Sequence, residues 1–278
     1  MTHPSLAMIS QEEFALFRDL MYKVAGVCFS ESKRHLVSGR LARRIRECEL
    51  PDFGAYYRLV TSEYGKEEFH RMIDLLTTHE TYFFREPKHF EFLAQHVIPQ
   101  RLKAKGERET LRVWSAASST GEEPYTLAMV LMELLGDKHP WEIVATDISR
   151  ESLSRAQSGV YTTSRLDGLP TGFLRKYFLK GTGSREGTVR IVPELRHKVS
   201  FREANLTSSL GSLGEFDVAF LRNVLIYFDM QTKQGVVNRV VQQIRKEGWL
   251  FIGHSESLNG LTTSMQQEKP TVYRKQSK

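Results

Sequence analysis

The chain is poor in cysteine: among 278 residues only Cys28 and Cys48 occur, both near the start and neither at a metal-ligand spacing. That usage suits a reducing compartment, makes no case for zinc and leaves both thiols as core residues or bystanders, so no metal is expected. Long apolar runs are also missing. No stretch approaches bilayer-spanning length, and the opening MTHPSLAMISQEEF lacks a basic region followed by an apolar one. A cytoplasmic protein without membrane insertion is expected. What is there is globular: 40% hydrophobic and 26% charged residues suffice for a large core and exclude disorder. The length suggests one core of roughly 200 residues plus a smaller module. A net charge of +6 and a pI near 9.2 favour an acidic partner, whether nucleic acid, anionic lipid or protein.

Ser10 followed by Glu13 has the form of a capping box, and Phe14, Phe17 and Met21 then recur at helical spacing, which predicts a helix from Gln11 to Val24. The stretch KRHLVSGRLARRIR, residues 33–46, carries six basic residues and no acid, while Val37, Leu41, Ile45 and Cys48 share one face. It reads as an amphipathic helix with a basic outer side. Further helical patterns over Phe53–Tyr64 and Lys66–Thr78 complete an all-helical N-terminal domain, taken as residues 1–85 and followed by a linker over 86–110.

From Leu111 to the end at 278 the pattern changes. Short apolar runs (LRVWSA, WEIVATD, KVSFREANL, FDVAFLRNVLIY, WLFIGHS) alternate with helices over Glu122–Leu135, Glu151–Ala156 and Thr232–Arg245. This alternation predicts an α/β fold, a doubly wound, mostly parallel sheet covered on both faces, with TVYRK as a closing edge strand. Leu169–Arg196 fits no crossover helix and is expected to be a small antiparallel insertion turning at GTGSREG.

Ligands of such sheets lie beyond the carboxyl ends of the strands, so the loops there hold the candidates. The first, AASSTGEEPY, has one glycine, Gly121, and lacks the G-x-G-x-x-G that a pyrophosphate requires. Glu122 and Glu123 would repel phosphate but suit a sulfonium ligand bearing an ammonium group; alone they could equally serve the helix dipole. Asp147 closes the second strand, where an acid can accept both hydroxyls of a ribose, or cap the next helix. Asn205-Leu206 follow the third strand. Arg222-Asn223-Val224 interrupt the apolar fourth, where buried polar groups need partners. Tyr227 lies four residues on, as a core residue or facing the pocket. HSES at 254–257 lacks a nucleophile elbow and reads as a loop.

Together TTHETYFFRE (77–86), VWSAASSTGEEPY (113–125), ATDIS (145–149), FLRNVLIYF (220–228) and FIGHSES (251–257) resemble the CheR-type chemotaxis receptor glutamate methyltransferases, in family order and over nearly the whole chain. The resemblance implies a class I, Rossmann-like methyltransferase that esterifies receptor glutamate side chains with S-adenosylmethionine, leaving S-adenosylhomocysteine. It places the cofactor against His79, Thr81, Arg85, Glu122, Asp147, Asn205, Leu206, Arg222, Asn223 and Val224, with His79 standing where the family usually has Asn. It assigns Arg101 and Tyr227 to the acceptor. The implied partners are the cytoplasmic methylation helices of chemotaxis receptors in membrane arrays, with a receptor C-terminal peptide docking on the insertion in some members. Arg40, Arg43, Arg44 and Arg46 would then steer an acidic helical bundle, or simply form a solvated face. A nucleic-acid methyltransferase is the enzymatic rival, but the N/D-P-P-Y motif and a cysteine in the α/β part are both absent. A non-catalytic, cofactor-sensing scaffold is the rival of another class.

Overall fold

A computed structural model describes residues 7–105 and 108–276; the opening MTHPSL and two residues of the expected linker lie outside these ranges. Four helices come first: α1 (Gln11–Ala25), α2 (Arg34–Glu47), α3 (Phe53–Thr61) and α4 (Lys66–Leu76). The capping box closes α1 as expected, Ser10 Oγ accepting from the Glu13 N–H while Glu13 accepts from the Ser10 N–H. Gly26, at φ 70°, ends it in the left-handed conformation that glycine adopts without strain. Phe14, Phe17, Met21, Val37, Leu41, Ile45, Tyr56 and Met72 interlock as a core of their own. The third helix stops at Thr61, short of the expected Tyr64, because the Ser62 hydroxyl bonds back to the Leu59 carbonyl and a 3-10 turn follows.

Helices α5 (Pro87–Phe92) and α6 (Ile98–Lys105), joined by a π-helical turn over Leu93–Val97, lead into the sheet. The remaining elements in chain order are β1 (Leu111–Ala116), α7 (Glu122–Leu135), β2 (Trp141–Asp147), α8 (Arg150–Ser158), β3 (Val160–Thr162), α9 (Phe173–Tyr177), β4 (Phe178–Lys180), β5 (Thr188–Ile191), α10 (Pro193–Arg196), β6 (Val199–Glu203), β7 (Phe216–Leu221), α11 (Met230–Gln242), β8 (Ile244–Ile252), β9 (Met265–Lys269) and β10 (Val272–Lys275). The main sheet runs β6-β2-β1-β7-β8-β10-β9, parallel through β8 and antiparallel beyond it. The order reverses between β1 and β7, which opens a crevice at their carboxyl ends. Phe220 and Phe251 stack on one face of the sheet, with ring centroids 4.5 Å apart, and Trp114 stacks on Phe216 in the core of the other. Among the described residues no helix is long and apolar enough to cross a membrane.

Two strand expectations need correction. TVYRK lies inside the sheet rather than at its edge: β10 pairs with both β8 and β9, and β9 is the edge. The antiparallel insertion starts earlier than Leu169, because β3 begins at Val160 and the small sheet runs β3-β5-β4. Three residues directly after the Gly159 helix cap carry too little alternation to announce a strand. GTGSREG is the turn between β4 and β5.

Candidate active site

The crevice is a cavity floored by the carboxyl ends of β1, β2, β6 and β7 and covered by the end of α1, the start of α2 and the segment between α4 and α5. His79, Thr81, Arg85, Asp147, Asn205, Leu206, Arg222, Asn223, Val224 and Tyr227 all line it. These candidates come from four separated stretches of chain, and the reversal of strand order gathers them. Arg222-Asn223-Val224 lie just after β7, not within it, since the strand ends at Leu221 and Asn223 takes φ 58°. That left-handed turn frees the following backbone for the cavity wall.

Asp147 is buried, and its carboxylate is held from two sides: Ser119 N–H donates to Oδ2 at 2.8 Å and Ser149 N–H to Oδ1 at 2.9 Å. Burial raises its pKa, while these backbone donors act the other way. Each oxygen keeps a lone pair that a diol could use. The predicted helix cap is made by Ser149, whose hydroxyl accepts from the Ser152 N–H. His79 contributes differently from expectation, because both ring nitrogens have protein partners, Nδ1 with Ser152 Oγ at 3.0 Å and Nε2 with Thr77 Oγ1 at 2.8 Å. Asn205 likewise donates its amide to the Val24 carbonyl at 2.6 Å, fastening the end of α1 over the cavity.

In the cavity wall Arg222 joins two carboxylates: Nη1 donates to Glu123 at 2.8 Å, and Nη2 lies 3.0 Å from Glu86. Ser115 Oγ donates to the other Glu123 oxygen at 2.7 Å. Burial pushes the Glu123 carboxyl up and Arg222 pulls it back, so a dipolar pair faces the cavity. Buried Glu256 shapes the loop after β7, accepting from the N–H groups of Asn223, Leu225 and Gly253. Sequence reasoning weighed Glu122 and Glu123 together but assigned the cofactor to Glu122, and it missed Glu86 and Glu256. The visible signal was an acid in each of three otherwise matched motifs; which acid turns inward is set by helix phase and loop path.

Three groups of expected residues are placed elsewhere or used differently. Glu122 does not line the cavity: it is completely buried, accepting from Thr120 Oγ1 at 2.7 Å and Arg165 Nη1 at 3.0 Å. Its neighbour Glu123 holds the wall position, since adjacent helix residues point about 100° apart. Arg101 is at the far, amino-terminal end of the sheet, buried, with Nε donating to Asp217 at 2.8 Å, and it lines only a shallow depression there. A structural ion pair is its role, and Arg85 is the arginine of the predicted acceptor pair's neighbourhood that does line the cavity with Tyr227. On the basic helix, Arg44 grips Glu68 through two bonds of 2.8 and 2.6 Å, and Arg40 donates to the Leu76 and Thr77 carbonyls at the end of α4. Arg43, beside Glu47, and Arg46 are the exposed members.

The family described as CheR methyltransferase, SAM binding domain, matches residues 79–274, and the CheR methyltransferase all-alpha domain matches residues 12–77. The chain is 41% identical over 267 residues to the chemotaxis protein methyltransferase of Escherichia coli (strain K12), covering 95% of this chain and 91% of the relative. It is 40% identical over 266 residues to chemotaxis protein methyltransferase 2 of Pseudomonas aeruginosa, covering 95% and 93%.

Proposed function

The chain belongs to the CheR methyltransferase family, and on that premise we propose that it transfers the methyl group of S-adenosylmethionine to glutamate side chains of chemotaxis receptors, for adaptation. The observation that carries the cofactor reading is Asp147, a buried carboxylate at the end of β2 with its oxygens fixed by two backbone N–H groups at the cavity wall.

The residues fit the cofactor. Asp147 would accept the ribose hydroxyls, the Arg222–Glu123 pair would meet the zwitterionic amino-acid end, and Leu206, Val224 and Ile148 would supply apolar wall. When bound, the cofactor supplies an electrophilic methyl group on a sulfonium. A glutamate carboxylate, ionised at neutral pH with a reference pKa of about 4.3, needs no general base. With the cofactor bound, its oxygen would form the C–O bond as the methyl–sulfur bond broke, the electron pair leaving on sulfur, and no proton would need to move. The protein therefore contributes in-line positioning and desolvation, which are worth most when the acceptor approaches to about 3–3.5 Å. Arg85 and Tyr227 orient the acceptor. Too strong a grip on its ground-state charge would slow the step, so a partly exposed guanidinium suits the task.

On the receptor side, exposed Arg43 and Arg46 give α2 a positive face for an acidic helical bundle. The small sheet leaves one edge of β3 and one of β4 unpaired within it, which supports strand addition by a receptor C-terminal peptide. The deciding experiment is incubation of receptor cytoplasmic fragments with radiolabelled methyl donor, then mild base. Label released as methanol is expected from a carboxyl methyl ester, whereas base-stable label would overturn the assignment.

A further inference from the structure

Glu86 before α5, His89 within it and His254 after β8 meet beside the cavity wall, their facing ligand atoms all within 4.8 Å of one another. Glu86 Oε2 lies 3.4 Å from His89 Nδ1 and 3.8 Å from His254 Nε2. His89 is only 3% exposed and its Nδ1 has no hydrogen-bond partner, while Glu86 Oε2 is paired with Arg222 Nη2 at 3.0 Å. Thr271 Oγ1 lies 2.8 Å from the other ring nitrogen, Nε2, so Nδ1, the nitrogen facing Glu86 Oε2, is the one left for a ligand. Arg222 supplies one positive charge for both Glu86 and Glu123, which leaves the cluster net negative.

We propose that Glu86, His89 and His254 bind one divalent transition-metal ion of the zinc or cobalt type. Two imidazoles and a carboxylate are a zinc-like donor set, and tetrahedral bonds of about 2.0–2.1 Å put neighbouring donors about 3.3 Å apart. The Glu86–His89 spacing already meets that, and His254, 52% exposed on its side chain, has room to close. Thr271 orients His89 from behind as an outer-shell partner. The expectation of no metal was drawn from cysteine spacing and does not reach a set assembled from three separate segments. The ion takes no part in methyl transfer; it ties the start of α5 to the loop after β8, next to Arg222 and Asn223 of the cofactor wall.

The test is titration of the untagged, chelator-treated protein with Co2+ and with Zn2+, followed by visible absorption, calorimetry and thermal unfolding. One equivalent is expected to bind, with tetrahedral Co2+ bands, no thiolate charge-transfer band from Cys28 or Cys48, and a metal-dependent rise in Tm. His254→Ala, a change at an exposed side chain, should leave the metal-free Tm intact and weaken binding by at least the roughly tenfold that loss of a mere outer-shell partner costs; Glu86→Gln should weaken it further. Absence of stoichiometric binding, which would leave the cluster a hydrogen-bonded water site, or unchanged affinity in His254→Ala, would overturn the proposal. None of these readouts depends on methyl transfer.

Discussion

Replacing Arg101 by Met separates the two arginines most directly. Arg101 is buried, with Nε 2.8 Å from Asp217, and the change keeps most of the aliphatic bulk while removing the charge. Asp217 is not orphaned by it, because the Arg112 N–H at 3.0 Å and Arg245 at 3.2 Å still reach the carboxylate. Breaking a buried pair costs about 3–5 kcal/mol, and the remaining partners argue for the lower end, about 3 kcal/mol. At about 2–4 °C per kcal/mol for a chain somewhat under this size, Tm should fall by about 6–12 °C. Methyl transfer below the transition should keep wild-type kcat/KM. Arg85→Ala should do the reverse: loss of one charge-assisted contact of about 1.5–3 kcal/mol lowers kcat/KM by about 10- to 150-fold, with Tm nearly unchanged. Thermal unfolding and initial rates on the same preparations decide between them. An Arg101→Met protein with wild-type Tm and activity reduced by orders of magnitude would refute the placement of Arg101 outside the site.

Cofactor affinity, measured by calorimetry from about pH 8 to about pH 5, should fall as pH drops. Asp147 has its pKa raised by burial and must be ionised to accept the ribose hydroxyls, so protonation competes with binding; Asp147→Asn should bind weakly with a flatter profile. Gly253→Ala should weaken the cofactor without touching it, because a Cβ there would sit 2.5 Å from Asn223 Nδ2 and 2.9 Å from Glu256 Oε2, forcing the wall to shift. Reversing Arg43 and Arg46 to Glu should slow receptor methylation several-fold at low salt with cofactor affinity unchanged, and unchanged rates would remove α2 from receptor steering. Arg44→Glu should instead lower Tm, since it sets a second acid against partly buried Glu68.

Local chemistry was legible in the residues alone. The α1 capping box and the span of α7 needed only nearest neighbours in the chain, and the alternation of apolar runs with helices was enough for a parallel sheet. The motifs likewise named most of the cavity wall. Their roles were another matter. Glu122 and Glu123 are adjacent acids that no pattern distinguishes, yet one is sealed under Arg165 and the other faces the cavity with Arg222. Arg101 has the composition of a site residue and belongs to Asp217, 116 positions away, because α6 crosses the amino-terminal end of the sheet. Arg40 and Arg44 are basic on a basic helix, but their charges meet the end of α4 and Glu68. The sequence by itself determined which segments become helices and strands, since hydrogen bonding and apolar spacing act over a few residues. Only the tertiary structure decided which charge meets which, because pairing depends on distances between segments far apart in the chain, and burial then sets the strength of each interaction.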